Sequence, residues 1–195
     1  MITERLKTET RPHHDNMERV GFSDKIMNGS LNLDEYKILI RNNYIMNSII
    51  EKAVSALPEF VNLEGLNFEG RKKNHLLERD LEVLGINKAE LDALDYSMNF
   101  DNLNQALGAF YVMEGSTLGG SVISRHLAKN PNLSAVPEYN FYGCYGDMVG
   151  PNWKMFQGVL MSQANSTENE DQMVQAACDT FDYFRGIFED SLSKS

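Results

Sequence analysis

Hydrophobic side chains recur at every third or fourth position through most of the chain, which is the spacing of amphipathic α-helices. The clearest stripe covers residues 33–57 and ends at Pro58. Further helices are predicted over residues 2–20, 69–84, 87–94, 101–129, 148–164 and 168–192, and a loop rich in turn residues over 130–147. Since no segment alternates with the period of a strand, the pattern predicts an all-α, single-domain helical bundle over residues 1–195.

Local signals indicate where some of these helices begin and end. Pro12 lies inside the first predicted helix, so we expect a kink or a late restart there. Asn87 and Asp101 are suitable N-caps for the helices that follow them, and Gly85 suits the position just after a helix.

Composition narrows the classes of function. The 195 residues carry a net charge of −10 at pH 7, and the pI is about 4.8. This charge argues against nucleic-acid binding and against loose adhesion to anionic membranes, because both need clustered basic residues. The chain has no apolar run long enough to span a membrane, and its N-terminus is charged where a signal peptide would be apolar. We therefore expect a cytoplasmic protein. The two cysteines form no CxxC motif and are too few for a four-cysteine zinc site.

Four glycines fall inside the longest predicted helix, at Gly108, Gly115, Gly119 and Gly120. Each costs roughly 0.5–1 kcal/mol relative to alanine in a helix interior. One interpretation is close helix packing, which usually explains a single glycine. The other is a bend that exposes backbone to a large planar ligand, since Gly115 and Gly119 are four residues apart and share a face, with Gly120 beside them. The pattern leaves both open.

A second candidate feature lies near the N-terminus. Lys7 and Arg11 precede His14 by seven and three residues. On a helix their side chains would therefore project about 20° and 60° away from that of His14, measured around the helix axis. His13 points about 100° away from His14. One face would then carry an imidazole with two cations, which suits a ligand with a central metal and carboxylates at its edge. The alternative is an ordinary solvated polar face.

Two segments resemble a known family. RPHHDNMER at residues 11–19 and ALGAFYVMEGSTLGGSVISRHL at 106–127 are similar to bacterial heme oxygenases of the biliverdin-producing type. FYGCYGDMVGPNWKMF at 141–156 resembles the aromatic turn and Trp-containing helix of that family. The resemblance implies an all-α fold that holds heme between a proximal and a distal helix. It also implies oxidative opening of heme, as substrate and cofactor, to biliverdin, CO and ferrous iron, using O2 and electrons from an external donor.

The resemblance also implies roles for individual residues. His14 aligns with the proximal iron ligand, and Glu18 is the expected partner of its second ring nitrogen. Lys7 and Arg11 fall where basic residues meet the heme propionates, with Lys154 a further candidate. The distal glycines of the family align with Gly115, Gly119 and Gly120.

Two positions depart from the mammalian-like branch of the family. Ser116 stands where that branch has an aspartate that organises water near bound oxygen, so a serine hydroxyl with water would replace it. Phe110 stands where that branch has a tyrosine near a propionate, so this contact is not carried over.

The expected reaction needs electrons, and no dinucleotide-binding motif occurs in the sequence. A separate ferredoxin or reductase is therefore the expected partner. If that donor is acidic, this acidic chain needs a local basic patch, which Arg71, Lys72 and Lys73, or Arg125 and Lys129, would supply. A solvated helix surface explains either group more simply.

Several other functions remain as alternatives. A heme-binding protein that stores or senses heme without degrading it would use the same residues. A di-iron bundle needs Glu-x-x-His pairs, which the sequence lacks. A thiol enzyme acting on small thiamine-like substrates would need Cys144 or Cys178 near a histidine, and neither has one close in sequence. The last alternative is a non-enzymatic helical interaction module, in which the glycines would serve only close helix packing.

Overall fold

The structure is a computed structural model that describes residues 1–193. No strand occurs within these residues, which confirms the all-α prediction. The helices are α1 (Ile2–Glu9), α2 (Arg11–Val20), α3 (Ser23–Asn28), α4 (Leu33–Ser55), α5 (Pro58–Val61), α6 (Asn74–Val83), α7 (Lys88–Asp92), α8 (Leu103–Lys129), α9 (Val149–Gln163) and α10 (Thr167–Ser193). In this part of the chain no helix is both long and apolar enough to cross a bilayer.

The predicted break near Pro12 separates α1 from α2. Thr10 joins the two helices, and its hydroxyl donates a hydrogen bond to the Leu6 carbonyl oxygen at 2.7 Å. Pro12 occupies the first turn of α2. Backbone N–H groups in a first turn have no acceptor within the helix, so the N–H that proline lacks is not missed there. The late restart is therefore confirmed: α1 ends at Glu9 and α2 begins at Arg11.

The two longest helices, α8 and α10, pack closely against each other in the core. A Cβ atom on Gly108 would overlap the backbone carbonyl of Met173 on α10. Gly108 is therefore explained by close helix packing, which the sequence left open.

One of the two predicted N-caps is confirmed and the other is corrected. Asn87 caps α7, since its side chain accepts a hydrogen bond from the Ala89 N–H at 3.1 Å. The N-cap of α8 is Asn102 and not Asp101, because it is the Asn102 side chain that accepts from the Gln105 N–H, also at 3.1 Å.

The predicted helix over residues 69–84 is divided in two. A 3-10 turn covers Glu69–Arg71, Lys72 is extended, and α6 begins only at Asn74. The two short helices α3 and α5, of six and four residues, were not predicted.

Candidate functional site

A cavity of about 530 Å³ lies between α2 and α8. This volume is within the range of small-molecule sites, roughly 300–1,000 Å³. Helix α4, the loop after α8 and the start of α9 contribute further walls. The aromatic side chains of Phe181, Phe184 and Phe188 on α10 also line it, so the interior is largely apolar. Such a cavity suits a large apolar ligand with polar groups at one edge.

The two adjacent histidines on α2 have different environments. His14 lines the cavity, is 48% exposed and makes an edge contact with the Phe181 ring at 5.7 Å. His13 lies outside the cavity, and its Nδ1 is 3.0 Å from a carboxylate oxygen of Asp182 on α10. The His13 contact ties α2 to α10, and this helix orientation turns His14 towards the cavity.

Two carboxylates lie near the His14 ring. Its Nδ1 is 3.7 Å from an oxygen of Asp15 and 3.8 Å from an oxygen of Glu18. Both distances exceed that of a direct hydrogen bond, so the two carboxylates act on the ring by charge at close range. Both carboxylates are nearest to Nδ1, so Nε2 is the nitrogen left to act as a ligand.

Of the three cations predicted at the site, two line the cavity. Lys7 and Arg11 stand on the same side as His14, and the Arg11 Nε is 2.9 Å from Asp15. Lys154 is exposed and outside the cavity, which corrects its predicted placement. Its neighbour Trp153 faces the cavity, and consecutive residues of a helix point about 100° apart.

The wall formed by α8 exposes backbone at Gly115 and Gly119. A Cβ atom on Gly115 would lie 3.9 Å from the Trp153 ring, and one on Gly119 would lie 3.8 Å from Ile123. The helix is not interrupted at these glycines, so the expected bend is not needed to expose them. Ser116 also lines the cavity, but its hydroxyl donates to the Met113 carbonyl oxygen at 2.8 Å.

Gly120 is placed differently from the prediction. It is buried outside the cavity, and a Cβ atom there would lie 3.0 Å from the carbonyl oxygen of Tyr142. The residue permits close approach of the loop after α8. The four glycines of α8 thus divide into Gly115 and Gly119, which line the cavity, and Gly108 and Gly120, which serve packing.

That loop is held in place by a buried carboxylate. Asp80 on α6 is 1% exposed and accepts hydrogen bonds from the Asn140 N–H at 2.9 Å, the Asn140 side chain at 3.0 Å and the Phe141 N–H at 2.8 Å. Because Phe141 and Tyr142 line the cavity, Asp80 fixes part of its wall.

Sequence reasoning missed the polar residues that α4 brings to the cavity. Asn43 and Asn47 are four residues apart and share a face within an otherwise apolar stripe, which was the available signal. The Asn43 side chain donates to the Tyr142 hydroxyl at 3.2 Å. Burial raises the pKa values of Tyr142 and Tyr111, so both cavity-lining hydroxyls stay protonated near neutral pH.

The basic run at residues 71–73 is not the surface patch that was predicted. Arg71 and Lys73 are 3% and 2% exposed, and both form ion pairs with Glu114, which is 1% exposed. The Tyr145 hydroxyl donates to the same carboxylate at 3.0 Å. Lys72 alone points outward, where it pairs with a glutamate on the surface. As a group, these three residues cannot receive a protein partner.

Comparison with known proteins identifies relatives along most of the chain. A protein-family profile described as heme oxygenase matches residues 1–190. A heme oxygenase from Xanthomonas campestris pv. campestris (strain 8004) is 30% identical over 159 residues, which cover 80% of this chain and 90% of that protein.

Solved structures show the same fold at lower identity. The heme oxygenase of Leptospira interrogans has a TM-score of 0.77 at 17% identity, covering 97% of this chain and 98% of that one. Heme oxygenase-1 from the cyanobacterium Synechocystis, solved in complex with heme, has a TM-score of 0.74 at 16% identity and covers 99% and 93%. The NO- and CO-bound heme oxygenase from Neisseria meningitidis has a TM-score of 0.71 at 19% identity and covers 99% and 92%. With a family profile over nearly its whole length and a relative 30% identical, the chain belongs to the heme oxygenase family and is an enzyme that opens the heme ring.

Proposed function

We propose that heme is bound and opened in the cavity between α2 and α8, with His14 as its iron ligand. The observation that carries this proposal is that one cavity has a partly exposed histidine on one wall and bare glycine backbone on another. The first supplies a nitrogen ligand, and the second leaves room for a flat ring.

His14 has the surroundings expected of an iron ligand. Asp15 and Glu18 lie nearest to Nδ1, so a proton on Nδ1 is favoured and Nε2 is left to bind iron. Groups that hold the second nitrogen of a ligating histidine fix its tautomer and raise its basicity. Glu18, one turn along α2, is therefore the proposed partner, with Asp15 beside it.

Lys7 and Arg11 are proposed to hold the two propionates of heme. Both line the cavity on the His14 side, where carboxylates at the ring edge would approach them. An arginine fork matches a carboxylate, and a lysine adds a point charge. These contacts fix the rotation of the ring in the cavity and so select which meso edge is oxidised.

On the α8 wall this chain provides space and neutral groups. Bound heme supplies the iron at which oxygen is reduced and the ring carbon that becomes oxidised. Gly115 and Gly119 keep side chains out of that space, and Glu114, next to Gly115, is turned away into the buried charge cluster. No carboxylate or histidine of α8 lines the cavity, so protons are proposed to arrive through water. The lone pairs of the Ser116 hydroxyl are available to orient that water.

The electron donor is proposed to be a separate ferredoxin or reductase. Since Arg71 and Lys73 are buried, the remaining basic candidates for docking are Arg125 and Lys129, which are exposed in the last turns of α8.

The test compares His14→Ala with the matched control His13→Ala. Purified protein is titrated with hemin, and the absorbance is then followed in air after an electron donor is added. We expect wild type and His13→Ala to bind hemin and to convert it to biliverdin, whereas His14→Ala does neither unless imidazole is added. A stable heme complex in the wild type would favour storage or sensing. Equal behaviour of the two variants would remove His14 as the ligand.

A further inference from the structure

A buried charge cluster lies behind the α8 wall of the cavity. Glu114 accepts from Arg71, from Lys73 at 2.5 Å and from the Tyr145 hydroxyl at 3.0 Å. None of these four residues lines the cavity. Burial, together with the negative charge of Glu114, raises the pKa of Tyr145, so this hydroxyl remains a donor. Glu114 immediately precedes Gly115, so the cluster meets α8 where the helix forms the cavity wall.

Such a cluster is a costly way to stabilise a fold. Removing charges from water carries a penalty that pairing offsets only in part, and apolar replacements of buried ion pairs are often as stable. A second carboxyl group, that of Glu51, lies beside the cluster and accepts from the Lys73 backbone N–H at 2.6 Å and the Asn74 N–H at 3.2 Å. What the cluster adds beyond stability is a fixed arrangement of the segments that it joins.

Arg71 joins three of those segments. Its Nε donates to the Leu66 carbonyl oxygen at 2.5 Å, one terminal nitrogen to Glu114, and the other to the Asn152 carbonyl oxygen at 3.1 Å. Asn152 directly precedes Trp153, whose ring lies beside the bare backbone of Gly115. Because the guanidinium is a rigid planar fork, it fixes the position of α8 relative to the start of α9.

We propose that Arg71 is a positioning residue for the distal side of the active site. By bridging Glu114 and the Asn152 carbonyl, it holds the Trp153 ring against Gly115 and sets the width of the cavity there. Lys73 neutralises the same carboxylate but donates to no atom of α9. The proposal rests on the proposed heme site, because its effect on heme acts through that cavity.

The contrast between Arg71→Met and Lys73→Met tests this. Each variant removes one buried cation from Glu114, but only Arg71→Met cuts the link to α9. The chain has a single tryptophan, so emission from the heme-free protein reports on Trp153 alone. We expect both variants to unfold at lower temperature. Only Arg71→Met should shift the emission to longer wavelength and increase its quenching by acrylamide.

Hemin titration gives the second readout. Arg71→Met should raise the hemin Kd by about tenfold, while Lys73→Met keeps the wild-type value. Arg71→Lys is the companion variant if Arg71→Met fails to fold. It retains a positive charge for Glu114, but a lysine cannot also reach the Asn152 carbonyl. Arg71→Lys should therefore change the emission and the hemin Kd as Arg71→Met does. Wild-type emission and hemin Kd in both Arg71 variants would overturn the proposal. Failure of the heme site itself would appear separately, as absence of hemin binding by the wild type, while the heme-free emission still decides the role of Arg71 in placing Trp153.

Discussion

Gly119 offers a test in which stability and heme binding should change in opposite directions. An alanine Cβ at this position would lie 3.8 Å from Ile123, an ordinary van der Waals distance, within an uninterrupted helix. Gly119→Ala should therefore stabilise the heme-free protein by about 0.5–1 kcal/mol, chiefly by restricting the unfolded chain. For a chain of this length, that gain corresponds to a rise in Tm of about 1–4 °C.

The same methyl group projects from the wall on which the heme is proposed to lie. An extra methyl in a fitted interface costs about 1–3 kcal/mol, which corresponds to a loss of about 5- to 150-fold in affinity. The hemin Kd of Gly119→Ala should therefore rise even though the heme-free protein becomes more stable. Gly108→Ala is the control with the opposite expected effect on stability, because its methyl would overlap the Met173 carbonyl, and neither Gly108 nor Met173 lines the cavity. It should lower Tm and leave the hemin Kd of the folded protein unchanged.

Thermal unfolding of the heme-free variants, followed by circular dichroism, gives the first quantity, and hemin titration followed by absorbance gives the second. A fall in Tm for Gly119→Ala would show that the helix does not accept a side chain there. An unchanged hemin Kd would show that Gly119 does not face the ring, and would refute the assignment of α8 as the distal wall.

Three further predictions follow from the cavity walls. Asp80→Ala leaves three N–H donors without their acceptor and should destabilise the fold by about 2–4 kcal/mol, measured by urea unfolding, with weaker hemin binding. Ser116→Ala should change stability by less than about 0.5 kcal/mol and keep hemin affinity, but slow biliverdin formation in a single-turnover assay. The double variant Lys7→Ala with Arg11→Ala should change the biliverdin isomer ratio, measured by chromatography, more than the rate. Lys154→Ala is its matched control, and equal ratios in both would remove the two cations from the site.

The long helices could be predicted from the sequence because each buries a continuous apolar stripe. The stripe over 33–57 became α4 at Leu33–Ser55, with similar agreement for α8 and α10. The short helices α3 and α5 are too brief to show a period. The break at Lys72 could not be predicted either, since what turns the chain there is the burial of the charged residues on both sides of it.

For the candidate site, the sequence was informative about position along the chain but less so about direction. His14, Gly115 and Gly119 were singled out by spacing and by family resemblance, and the structure brings them to one cavity. Gly120 and Lys154 lie one residue from cavity-lining neighbours but face elsewhere, because one step along a helix is a rotation of about 100°. An aligned motif therefore identifies a segment more securely than it identifies which side chains in that segment reach the ligand.

The buried cluster shows a different limit. A run of consecutive basic residues is normally solvated, and nothing within residues 71–73 indicates that two of the three are buried. The available signal was Glu114, a lone carboxylate in the apolar centre of α8, since a charge at such a position needs a buried partner. Its partners lie 43 and 41 residues earlier in the chain, so their identity depends on the tertiary fold. Because the fold uses Arg71 and Lys73 to compensate Glu114, it removes them from any surface interaction. If the proposed electron donor is acidic, the basic residues that remain at the surface to meet it include Arg125 and Lys129.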